Sequence, residues 1–311
     1  MARWSAVALA LLLAGCGQSA GSTGQAPTSP FGAQVTATAT ATSAPQAVTV
    51  APTKVLTIVE ENHGQTSALS GMPYLALLSR HYGRTTNYRT LTHPSLPNYL
   101  TMAGGSTFGV RDDGSPAQHP LSGPSVFDAA RSHGRTAKTY AEAMTRTCQT
   151  ASAGRYAVKH NPWAYFTEAS SRRSCQAFDV PAGTTSAGAL HTDVVRGALP
   201  QIGLVVPDLC HDAHDCSLAT ADAWLKSWVQ VITAGPDYRA GRLALVVTFD
   251  ETEGSGTGSI LTVVVAPGVR GRTVTTALSH LSWSRWMAEL VGAAPLRQAG
   301  SATSLGKAFG T

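Results

Sequence analysis

Apolar positions along the chain follow two periods. Lys54–Glu60 (KVLTIVE), Ile202–Val206, Leu243–Phe249 and Ile260–Ala266 are short runs rich in Val, Ile and Leu, bounded by polar or turn-forming residues. Such runs predict strands buried on both faces. Thr136–Tyr140 predicts one more short strand. Apolar residues in Met72–Tyr82, Ser125–His133, Ala219–Thr233 and Leu281–Val291 recur at helical spacing. Strands alternating with helices predict an α/β fold with a mostly parallel central sheet and helices on both faces. The pattern places one domain at residues 54–296 and leaves 297–311 as a loosely ordered tail.

The first residues read differently. Arg3 precedes a short apolar run, Ala6–Leu13, too short to span a bilayer. The run ends in Leu13-Ala14-Gly15-Cys16, which resembles a bacterial lipobox. That resemblance implies a signal peptide at residues 1–15 and lipid on Cys16. It implies export and anchoring on the extracytoplasmic face of a bacterial membrane, with a plain secretory signal as the alternative. Residues 17–53 contain no charged side chain and include an Ala-Thr repeat, so they read as a flexible tether. Gly17-Gln18-Ser19-Ala20-Gly21 matches G-x-S-x-G, but no strand precedes it and no helix follows, so it is not a nucleophile elbow.

Charge narrows the function classes. The chain has 23 basic and 18 acidic residues, a formal +5, with no Lys/Arg run. That excludes an obvious nucleic-acid binder. Apart from Cys16, four cysteines remain: Cys148, Cys175, Cys210 and Cys216. An even count in an exported domain suggests two disulfides. Of the three pairings, Cys148–Cys175 with Cys210–Cys216 closes the most local loops. A zinc–cysteine site is disfavoured, since no C-x-x-C pair is present.

Polar clusters follow three predicted strands: Glu60-Glu61-Asn62-His63, Pro207 to Cys216, and Asp250-Glu251. In a parallel sheet they converge on one rim, where ligands of such folds bind. Carboxylates and amide carbonyls are hard oxygen ligands, so one divalent cation is expected, with Mg²⁺, Ca²⁺ or Mn²⁺ favoured over Zn²⁺. Ser95, just before a predicted helix with Pro97 in its first turn, is either a helix cap or a nucleophile.

Glu61-Asn62, His93-Pro94-Ser95-Leu96-Pro97-Asn98-Tyr99, Lys159-His160-Asn161-Pro162, His214-Asp215, Phe249-Asp250-Glu251 and His280 occur in that order. Together they resemble the bacterial phosphoesterase family of acid phosphatases and phospholipase-C-like enzymes, within the alkaline phosphatase superfamily. The likeness runs from about Val55 to Leu290 and is strongest to secreted acid phosphatases of the phosphatidylinositol 3-phosphatase type. It implies that Ser95 is a transiently phosphorylated nucleophile. It implies metal ligation by Glu61, Asn62, Ser95, Asp250 and Glu251. His214 and Asp215 would face the phosphate or leaving group, and His160, Lys159, His280 and His93 would bind substrate. The implied activity is phosphate monoester hydrolysis, on a phosphoinositide, another lipid phosphate or a soluble ester. A phospholipase-C-type diesterase and a non-catalytic phosphate- or metal-binding lipoprotein are the alternatives.

Overall fold

The computed structural model describes residues 51–311. The expectations for the signal peptide, Cys16 and most of the tether lie outside the described residues. Ten strands are present: β1 (Lys54–Glu60), β2 (Gly83–Thr85), β3 (Tyr88–Arg89), β4 (Ala137–Ala141), β5 (Asp179–Pro181), β6 (Ile202–Val206), β7 (Leu243–Phe249), β8 (Ser259–Ile260), β9 (Val263–Val265) and β10 (Thr273–Val274). The helices that matter for the site are α1 (Gln65–Gly71), α2 (Pro73–His81), α3 (Ser95–Gly104), α4 (Val126–Ser132), α5 (Ala169–Phe178), α6 (Ala189–Val195), α7 (Leu218–Ala234), α8 (Pro236–Arg239), α9 (His280–Leu290) and α10 (Leu305–Phe309).

Eight strands form one sheet in the order β10-β2-β9-β7-β1-β6-β4-β5. Strands β7, β1, β6, β4 and β5 are mutually parallel, and β9 runs against its neighbours β7 and β2. The fold is thus the expected α/β, with a mostly parallel sheet. Every residue of β6 and β7 is buried, as a strand covered on both faces requires. Side chains alternate along β1. Thr57 accepts the Trp283 indole N–H of α9 at 2.8 Å, so Thr57, Val59 and Glu61 face α9 and α3. Leu56, Ile58 and Glu60 face the opposite layer, where α2 packs on α7.

Two expectations are corrected. Ile260–Ala266 is not one strand: Leu261 and Thr262 separate β8, which pairs with β3 in a two-stranded sheet, from antiparallel β9. Residues 297–311 are not a loose tail. They form a short 3₁₀ helix and α10, and Leu305 and Phe309 are buried against the core. Phe309 packs beside Gly83, where a Cβ would collide with its ring. The local disulfide pairing is present: Cys148–Cys175 ties the segment after β4 to α5, and Cys210–Cys216 closes the loop after β6.

Candidate active site

The carboxyl ends of β1 and β7 lie side by side, because the register runs through Glu60 opposite Phe249. Asn62 turns the chain away at φ 56°, and its N–H donates to Asp250 Oδ1 at 3.0 Å. The Glu251 N–H donates to the same oxygen at 2.6 Å. The turn after β1 and the turn after β7 are thereby stitched together.

Ser95 is the first residue of α3, not its cap. Pro94 holds the cap position and makes no side-chain capping bond. The buried Ser95 hydroxyl instead donates to Glu61 Oε2 at 3.0 Å. All ten residues of α3 are buried, and the helix ends at Gly105, whose φ of 69° and contact with the Leu296 carbonyl leave no room for a Cβ. The serine therefore sits on a rigid element, with its hydroxyl free of capping duty.

Glu61 is held by three groups. Tyr99 donates its hydroxyl to Glu61 Oε1 at 2.6 Å, Ser95 holds Oε2, and His160 Nε2 lies 3.2 Å from Oε1. His160 also lies 3.2 Å from Asp212 Oδ2 through Nδ1 and stacks on the Tyr99 ring. Neither His160 contact has hydrogen-bond alignment, so the attraction is Coulombic. Burial opposes charge on His160, but Glu61 and Asp212 outweigh it and push its pKa up to about 10. Burial likewise opposes charge on Glu61, but the His160 imidazolium and the Tyr99 hydroxyl hold it down to about 2. The result is a buried cation between two carboxylates.

A second chain of contacts borders this core. Asp215, largely exposed, takes His214 Nδ1 at 2.7 Å, and His214 Nε2 lies 3.3 Å from Lys159 Nζ. Lys159 also bonds Asp113 Oδ2 at 2.8 Å, and Asp113 Oδ1 accepts the Leu96 N–H of α3 at 3.0 Å. His214, Lys159 and the start of α3 are thus linked beside Ser95.

The remaining expected site residues have mostly positioning contacts. His93 bridges Glu251 Oε2 and the Gly256 carbonyl at 3.1 and 3.0 Å, so both its ring nitrogens order the loop after β7. His280 does not line an open pocket. It is fully buried, contacts the Asp250 carbonyl at 2.5 Å and Tyr88 at 3.3 Å, and burial lowers its pKa to about 4. His160 is also fully buried, and its ring nitrogens face Glu61 and Asp212.

Four residues were not assigned a role from sequence. Tyr99 lies four residues after Ser95 on one helix face, a spacing that offered a signal. Asn98 donates to Glu251 Oε2 and to the Thr92 carbonyl, ordering the loop before Ser95. Asp212 sat unremarked among other acids in its loop, and Asp113 has no sequence signal.

The chemistry of a cation site is present. Asp250 is fully buried, its Oδ2 has no partner, and burial with Glu61 and Glu251 pushes its pKa well above the carboxylate range. Burial raises Glu251 to about 7 against the pull of His93. Uncompensated carboxylates of this kind fit a hard cation. The expected carboxylates are nonetheless less tightly gathered than predicted. Among the described residues, the group of potential ligands at this site whose atoms all lie within 4.8 Å is Glu61, His160 and His214.

A mostly parallel sheet with its polar residues at the carboxyl rim defines an α/β protein whose site lies where ligands of such sheets bind. A protein of the alkaline phosphatase superfamily from Vibrio parahaemolyticus superposes with a TM-score of 0.53 at 10% identity, over 79% of this chain and 68% of that one. Residues 68–286 match the phosphoesterase family. The phosphatidylinositol-3-phosphatase of Mycobacterium tuberculosis is 30% identical over 76% of each chain. An acid phosphatase of Aspergillus fumigatus is 26% identical over 53% of this chain and 37% of its own length. The chain belongs to the phosphoesterase family and is a hydrolase acting on phosphate esters.

Proposed function

We propose that this protein hydrolyses phosphate monoesters through a phosphoserine on Ser95, assisted by one divalent cation, at the extracytoplasmic surface of a bacterial membrane. The observation that carries the reading is the buried Ser95 hydroxyl, free of capping duty and donating to Glu61 at the sheet's carboxyl rim. A cation held by Glu61, Asn62, Ser95, Asp250 and Glu251 would lower the serine pKa and offset charge on the phosphoryl oxygens. Mg²⁺, Ca²⁺ or Mn²⁺ suits these oxygen donors better than Zn²⁺. Glu61 orients the Ser95 hydroxyl for attack on phosphorus. As Ser95 Oγ bonds phosphorus its proton passes to Glu61 Oε2, which already accepts its hydrogen bond; the bond to the ester oxygen breaks, and His214, oriented by Asp215, donates a proton to the leaving oxygen. Lys159 supplies a positive charge for the phosphoryl oxygens. Water then cleaves the phosphoserine, releasing phosphate and restoring the hydroxyl. The lipobox-like Cys16 supports the membrane location. The relative's name makes a phosphoinositide headgroup one candidate substrate.

The test is para-nitrophenyl phosphate hydrolysis, with bis-para-nitrophenyl phosphate beside it, for wild type and Ser95→Ala, with and without EDTA. Wild type should release phosphate, EDTA should suppress release, and Ser95→Ala should lose about 10³-fold or more. Cleavage of the diester alone would replace the monoesterase reading with a diesterase. Full activity in Ser95→Ala would remove the phosphoserine mechanism.

A further inference from the structure

Acids gather at one end of the sheet and unpaired arginines at the other. At the carboxyl rim stand Glu61, Glu142, Asp212, Asp250 and Glu251. At the amino end two acids are paired with basic side chains. Asp237 is buried and paired with Lys54 at 2.8 Å and Arg242 at 2.8 Å, and Asp193 is paired with Lys138 at 2.6 Å. Exposed Arg135 stands two residues before β4, exposed Arg196 before β6, and exposed Arg239 ends α8 before β7. None of these three side chains has an ionic or hydrogen-bonding partner among the described residues. Contacts place the segments together. Lys54 Nζ bonds the Gly197 carbonyl at 3.1 Å, Gly197 lies against Pro236, and Gln201 bonds Thr136. Strands β4, β6, β1 and β7 are consecutive, so these arginines spread over three strand spacings, about 14 Å.

The chain also enters the domain at this end. The N–H groups of Thr53 and Lys54 both donate to the Arg242 carbonyl, at 2.9 and 3.0 Å. The site lies at the far end of β1, about 23 Å away for seven residues.

We propose that the amino-end face, with Arg135, Arg196 and Arg239, docks on an anionic lipid surface and points the active site away from it. The choice of a membrane over other polyanions rests on the lipid-anchored reading above and on the match between these unpaired arginines and anionic headgroups. In this pose lipid phosphates of the same leaflet are out of reach. The substrate comes from solution or from an opposing membrane.

Residues 51–311 share one continuous core, so the domain is tested without the preceding segment. Its binding is measured by sedimentation with phosphatidylcholine vesicles, with and without phosphatidylglycerol, at low salt. Binding should need phosphatidylglycerol. The triple variant Arg135→Gln, Arg196→Gln, Arg239→Gln should weaken it roughly a hundredfold, about fivefold per arginine. Removing equal charge elsewhere, by Arg111→Gln, Arg155→Gln and Lys226→Gln, should weaken it far less. Equal losses in the two triples, or binding indifferent to phosphatidylglycerol, overturn the docking face. Para-nitrophenyl phosphate turnover should be unchanged in vesicle-bound protein and in the arginine triple; suppression on binding overturns the orientation. Vesicle binding is read without catalysis, so an inactive protein that still binds through these arginines would count against the phosphatase reading alone.

Discussion

Tyr99→Phe isolates what holds the Glu61 carboxylate. The change removes one oxygen, the donor that reaches Glu61 Oε1 at 2.6 Å, and keeps the ring that stacks on His160. Both residues are buried, so water cannot replace the lost donor. A hydrogen bond to a charged group contributes about 1.5–3 kcal/mol, and an isosteric deletion leaves little cavity to add to that. For a domain of this size the loss corresponds to a fall in Tm of roughly 3–6 °C. Glu61 would keep Ser95 on Oε2 and His160 by charge alone, so the carboxylate gains freedom to swing. Misorienting the serine hydroxyl should lower kcat by roughly tenfold, with a smaller change in KM. The assays are denaturant unfolding of metal-free protein and steady-state para-nitrophenyl phosphate hydrolysis. A variant within about 0.5 kcal/mol of wild type, with unchanged kcat, would refute the idea that Tyr99 fixes the carboxylate.

Two further outcomes follow from the same geometry. Because the His160 pKa is raised to about 10, its contribution to stability is full below its ordinary value near 6.5 and is lost as pH rises toward 10. Because Glu61 is depressed to about 2, its contribution is present above its ordinary value of 4.5 and is lost as pH falls toward 2. The pair should therefore support metal-free protein best between about pH 4.5 and 6.5, and His160→Gln should flatten the alkaline decline in Tm; an unchanged slope would place the titration elsewhere. Replacing Cys210 and Cys216 by Ser opens a loop closed over a separation of 6 residues and should cost about 2 kcal/mol. Because that loop carries Asp212 and His214, kcat should fall even where the variant remains folded, and a folded variant with wild-type turnover would show that the loop holds its shape unaided.

Local pattern was enough for the strands β1, β6 and β7, since continuous Val/Ile/Leu runs have one stable use, burial on both faces of a sheet. It failed at Ile260–Ala266, where Leu261 and Thr262 look like part of one run but separate pairings to two different sheets. It also failed beyond Arg297, where Leu305 and Phe309 find buried partners that no local window contains. In the site, the acids at strand ends and the serine before the helix were legible because strand-end position dictates where they point. Tyr99 was legible in principle from its spacing to Ser95. Asp113, Asp212 and the buried positions of His160 and His280 were not, because their roles depend on segments far apart in sequence meeting across the rim.

The sequence by itself determined the α/β class and the convergence of acid-bearing strand ends, because both follow from short-range periodicity. Only the tertiary structure decided that the Ser95 hydroxyl serves Glu61 rather than a helix cap. It alone turned His160 into a buried cation between Glu61 and Asp212 and set the arginine face opposite the site. These are consequences of burial and of long-range juxtaposition, and no local stretch of the chain carries either.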